Sequence, residues 1–172
     1  AQTLIAGKPQ AGKSEFTFGV ALMLSLRGMT PLMILRNFSK DAVQMASKLD
    51  RFSQRQKEFM IRRGWPKWEV EAKAISSVSA VDDLKDLSSG IQSRKLVFVL
   101  YNGYQLNLMN ILCERISYGL LVDEADAVGY GEIKDEDARP RYHSSWEYQC
   151  LMEGCRKIFE ISATVFDILW GN

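Results

Sequence analysis

The stretch TLIAGKPQAGKSEFTFGV, residues 3–20, places four small or apolar residues ahead of two glycines, two lysines and a proline, then runs into apolar sequence. The spacing Gly7-Lys8-Pro9-Gln10-Ala11-Gly12-Lys13-Ser14 fits G-x-x-x-x-G-K-[ST], with a β-prone run before it and a helical pattern after it. A tight loop that opens a helix turns several backbone N–H groups inward, and the helix N-terminus adds partial positive charge. Such a loop holds a polyphosphate largely by main chain. Gly7 and Gly12 allow the close approach that a side chain would block. Lys13 is placed to neutralise β- and γ-phosphates, and the Ser14 hydroxyl is a hard oxygen ligand suited to Mg²⁺.

Outward from that loop, the chain of 172 residues is read as a single domain over residues 1–172. A hydrophobic content of 47% with 25% charged residues is that of a soluble globular protein. No apolar run is long enough to span a bilayer and no signal-peptide plan is visible, so an intracellular, soluble protein is expected, in cytoplasm or nucleus and with a viral source open. No membrane partner is expected. Net charge is only +1, so affinity for a nucleic acid has to come from a local patch. Cys113, Cys150 and Cys155 form no CxxC and have no histidine beside them, which reads as reduced thiols. His143 is the only histidine, which argues against a histidine metal site or a catalytic triad.

Short apolar, β-prone runs alternate with longer helical patterns, the signature of a mostly parallel sheet flanked by helices in three layers. Strands are expected at Thr3–Ala6, Pro31–Arg36, Leu96–Tyr101, Leu120–Val122 and Lys157–Ile161, with a short one at Lys73–Ser76. Helices are expected over Ser14–Arg27, stopped by Gly28, over about Ser39–Arg63, ended at Gly64 to Pro66, and over about Ser145–Arg156. Ser79 with Asp82 looks like a helix start of capping-box type. Residues 128–144, with two glycines, a proline and mixed charge, read as a surface loop.

A second stretch, YGLLVDEAD (residues 118–126), narrows the chemistry. A buried strand ends in Asp123, which can hold magnesium through a water, and Glu124 follows directly, where a carboxylate can orient or deprotonate a hydrolytic water. That pair favours ATP hydrolysis coupled to motion.

Together with Ser162-Ala163-Thr164 downstream, these residues resemble motifs I, II and III of superfamily 2 helicases of the DEAD/DExD type. The resemblance covers essentially the whole chain. It implies a RecA-like P-loop NTPase domain of the α/β class that binds ATP and Mg²⁺, with Lys13 and Glu124 in catalysis, Ser14 and Asp123 at the metal, and residues 7–14 around the phosphates. It implies that Asp126, Ser162 and Thr164 couple the ATP site to a nucleic-acid face. NFSKDAVQ (37–44) stands where the family has motif Ia, with Ala42 and Gln44 matching. NGYQL (102–106) stands at motif Ib, with Gly103 and Leu106 fitting. By that likeness Ser39, Lys40, Asn102, Gly103 and Gln105 become candidate contacts to DNA or RNA backbone. Gln10 and Ala11 depart from the family, which often has glycine and a small polar residue there. The chain is expected to be the first half of a two-domain motor, its partner a second RecA-like domain that supplies the remaining contacts.

Two other readings fit the same residues: the ATPase of another DNA-translocating motor of the terminase or packaging type, and a non-catalytic nucleotide-binding partner module. Glu124 argues against the latter, since a pure binder has no use for a base. The cationic run Lys48, Arg51, Arg55, Lys57, Arg62, Arg63 and Lys67, with Trp65 and Trp68, reads better as a solvated helix face than as a strand clamp.

Overall fold

The apolar runs become the strands of one sheet. In the computed structural model, which describes residues 2–6, 13–64, 84–123 and 145–162, β1 is Gln2–Ala6, β2 Thr30–Leu35, β3 Val97–Leu100, β4 Tyr118–Asp123 and β5 Lys157–Ser162. The helices are α1 Lys13–Leu26, α2 Ser39–Arg62, α3 Leu84–Gln92, α4 Gly103–Leu112 and α5 Trp146–Gly154. All five strands run parallel, in the order β1-β5-β4-β2-β3.

Helices cover both faces. Phe18, Ala21 and Leu24 of α1 and Ala42, Met45, Leu49 and Phe52 of α2 pack with Met33, Leu35, Phe98, Leu121 and Ile161. On the other face Leu87 and Ile91 of α3, Leu106 and Met109 of α4, and Tyr148 and Leu151 of α5 meet Leu32, Ile34, Val97, Val99, Leu120 and Val122. The period-two alternation of each strand separates these two sets, giving helix–sheet–helix layers. Each fully buried leucine or phenylalanine contributes about 2 kcal/mol from water exclusion. The layering also follows from chirality. The chain moves one way across the sheet from β1 to β2 and the other way from β3 to β4 to β5, so right-handed crossovers put α1 and α4/α5 on opposite faces.

The ends of the elements have local causes. Gly28 takes φ +85° and closes α1 with bonds from Gly28 N to Ser25 O (3.1 Å) and from Met29 N to Leu24 O (3.0 Å). Gly64, at φ +77°, stands just past α2, as the sequence predicts. The strand β4 starts two residues earlier than its apolar run, because Tyr118 and Gly119 pair with Thr30 and Pro31 of β2. Gly119 fits there because Leu24 of α1 lies over it, where a Cβ would come within 3.0 Å. The helix expected to run to Arg156 stops at Gly154, where Cys155 turns to extended backbone and its N–H bonds Met152 O. The expected strand at Lys73–Ser76, the capping box at Ser79 and the loop 128–144 lie outside the described residues. Among the described residues no helix is long and apolar enough to cross a membrane.

Candidate functional site

Parallel strands send all their carboxyl ends to one edge, and ligand sites of open α/β sheets form there. Ala6, Ser162, Asp123, Leu35 and Leu100 are the last residues of β1, β5, β4, β2 and β3. The register sets them level: Ile5 pairs with Ile161, and Ile161 with Asp123. Two strand spacings, about 10 Å, therefore separate the chain at Ile5 from the chain at Asp123. α1 begins at Lys13 after β1, so Lys13 and Ser14 occupy the first turn of a helix that packs one side on the sheet and whose N-terminus faces this same edge.

Local bonds hold that turn in place. The Thr17 hydroxyl donates to Lys13 O at 2.7 Å, and Glu15 pairs with Arg55 of α2, tying the start of α1 to its neighbour. Lys13, Ser14 and Asp123 are all half-buried. A helix start with a hydroxyl and a carboxylate at the same edge suits phosphate and a hard divalent cation.

The described structure thus brings together Lys13, Ser14, Asp123 and the backbone of Ser162 at one edge. Gly7, Lys8, Pro9, Gln10, Ala11, Gly12, Glu124, Asp126 and Thr164 lie outside the described residues. Ser39 and Lys40 open α2 on the same edge and are exposed. Asn102 and Gln105 carry local structure as well. The Asn102 side chain caps α4 by accepting from Gln105 N at 2.9 Å, and Gln105 Oε1 accepts from Leu100 N at 2.7 Å. Asn102 Nδ2 also donates to Asn37 Oδ1 at 3.1 Å, joining the turns after β2 and β3. Gly103, the first residue of α4, is exposed.

Three residues of this edge escaped the sequence reading. Arg36 leaves β2, bonds Asp41 in the first turn of α2 at 2.9 Å and lies 5.3 Å from the Phe38 ring centroid, so it braces the turn that presents Ser39 and Lys40. The five-residue spacing of Arg36 and Asp41 across a strand-to-helix turn is the signal that could have found it. The Tyr101 hydroxyl accepts from Ser145 N at 2.9 Å, binding the end of β3 to the start of α5. Glu160 is only 5% exposed, on an interior strand between Leu4 of β1 and Val122 of β4 in register, on the face of Ile158. No hydrogen bond or ion pair joins its side chain to another described residue. A carboxylate among the apolar residues of IFEI (158–161) was its signal.

The cationic run of α2 is a solvated face where it is described: Arg62 pairs with Glu58, and Arg63 lies 5.0 Å over Phe59. Trp65, Lys67 and Trp68 lie outside the described residues. No family model matches the chain, and no curated protein matches it either.

Proposed function

We propose that the chain is an ATP-binding and ATP-hydrolysing motor domain of the superfamily 2 helicase or translocase type. The observation that carries this reading is the strand order β1-β5-β4. One strand stands between the strand before GKPQAGKS and the strand that ends in Asp123, and both end at the same edge. In this reading residues 7–14 hold the phosphates through main-chain N–H groups, and Lys13 offsets their charge. Ser14 and Asp123 would hold magnesium, which when bound would neutralise charge at the phosphate oxygens. Glu124 accepts the proton of the attacking water. Asp126, Ser162 and Thr164 relay the state of the ATP site to a surface that meets DNA or RNA, with a second RecA-like domain closing over the nucleotide. Coupling of this kind requires that open and closed states bind ATP and products with different affinity.

The test is nucleotide titration, by calorimetry, of the native chain, Lys13→Ala and Glu124→Gln. Lys13→Ala is expected to lose detectable ATP binding, while Glu124→Gln keeps binding and loses turnover. Undiminished ATP affinity in Lys13→Ala would refute the loop assignment. Binding without turnover in the native chain joined to its second domain would favour the nucleotide-binding module instead.

A further inference from the structure

The edge opposite the candidate nucleotide site is built from the turns that lead from helices into strands. The connections at residues 27–29, 93–96, 113–117 and 155–156 all lie there, because they enter β2, β3, β4 and β5. Their exposed residues are Arg27, Ser93, Arg94, Glu114, Arg115 and Arg156, every one of them polar. Lys95 and Lys157 stand half-buried beside them. The turns are stitched side by side: Arg156 N donates to Tyr118 O and Thr30 N to Ser117 O, both at 2.9 Å. Arg94 reaches across to Gly28, where a Cβ would lie 3.9 Å from its guanidinium carbon. Four arginines thus line up over three strand spacings, about 14 Å. None of the four makes an ion pair with a described residue.

Cations also suit helix C-termini, and each of these arginines follows one. Arg94 exceeds that role. It takes φ +60° at the position that closes α3, with Arg94 N bonding Ile91 O and Lys95 N bonding Gly90 O, a place where glycine is the usual and unstrained residue. An arginine kept where the backbone disfavours it points to a use for its guanidinium.

We propose that this edge binds the sugar–phosphate backbone of a nucleic acid without regard to sequence. Arginine forks match phosphate oxygens. A protein partner would call for an apolar centre, which the exposed residues of these four turns lack. The surface lies at the opposite edge from Lys13 and Asp123, so failure of the nucleotide test would leave this inference untouched.

The experiment is fluorescence anisotropy of a fluorescein-labelled oligothymidylate with the 172-residue chain over a range of NaCl concentrations. The variants are Arg27→Gln/Arg115→Gln/Arg156→Gln and, separately, Arg94→Gly. The triple variant is expected to bind at least about tenfold more weakly at low salt, with a slope of log K against log salt reduced by roughly 2. Arg94→Gly is expected to melt at a higher temperature and still bind more weakly, its slope lower by about 0.7. That second variant decides the matter should the triple variant fail to fold. Native-like binding by Arg94→Gly would overturn the proposal and leave the arginines as helix-end charges. Displacement of the oligonucleotide by polyglutamate as readily as by unlabelled oligothymidylate would overturn it in favour of an acidic protein partner.

Discussion

Single side chains decide the packing between β4 and α5. The Tyr118 hydroxyl is buried and donates to Leu151 O at 2.6 Å. Gly154 sits so close to it that an added Cβ would lie 2.6 Å from the hydroxyl oxygen. Tyr118→Phe leaves the Leu151 carbonyl without its donor and is expected to cost about 1–2 kcal/mol in urea unfolding. Gly154→Ala is expected to cost about 1–3 kcal/mol through overpacking. Combined, the two changes should cost less than their sum, because Tyr118→Phe removes the atom that Gly154→Ala strikes. Burial pushes the Cys113 thiol up to about 12 and raises the Tyr118 phenol, the phenol further under the influence of Cys155, Cys113 and Cys150. Both groups are neutral when protonated, and the native state holds their protons more tightly than the unfolded chain. For Cys113 that contribution to stability is complete below pH 9.0, the ordinary value for the thiol, and is lost as pH rises toward about 12, while for Tyr118 the loss comes at higher pH. Unfolding free energy measured against pH should therefore stay level near neutrality and fall above it, with a shallower fall in Cys113→Ala.

At the scale of elements, caps fix where helices begin and end. Asn102 is the N-cap of α4, and Asn102→Ala is expected to destabilise the fold by about 1 kcal/mol, read from the urea midpoint. Arg94→Gly works in the opposite direction and should add up to about 1 kcal/mol, since glycine meets no penalty at φ +60°. The elements were largely legible in the sequence. The start of α2 at Ser39 and its end beside Gly64 follow from turn chemistry and a stop residue, and α1 is closed by the glycine that the sequence singles out. Strand ends were less so. Leu96 and Tyr101 look like strand on composition, but the register with β2 covers Val97–Leu100, and Tyr101 adds one bond from its N to Leu35 O at 2.8 Å before the chain turns. The first two residues of β4 were missed because a glycine in a strand declares itself only through the leucine packed against it.

For the whole molecule, the α/β class and three layers followed from the alternation of apolar runs and helical patterns, and the structure has both. The strand order did not follow. Nothing in KIFEIS says that it lies between the strand before Lys13 and the strand ending in Asp123; that is a product of long-range pairing. The cationic edge was equally illegible, since residues 27, 94, 115 and 156 are far apart in sequence and only parallel strands gather their turns. Of the candidate site, Lys13, Ser14 and Asp123 were legible from motif spacing and Arg36 from its spacing to Asp41, whereas Tyr101 gains its role from Ser145, 44 residues on. Glu160→Gln is expected to hold or raise the melting temperature, because a buried carboxylate without a described partner adds no stability.

Of the five strands, β5 is the last to leave the ribosome, yet it occupies the gap between two that were made earlier. A nascent chain that has emerged only as far as Gly154 holds both β1 and β4 but lacks the wedge that spaces them. The gap between β1 and β4 is therefore filled only after the other four strands have been made.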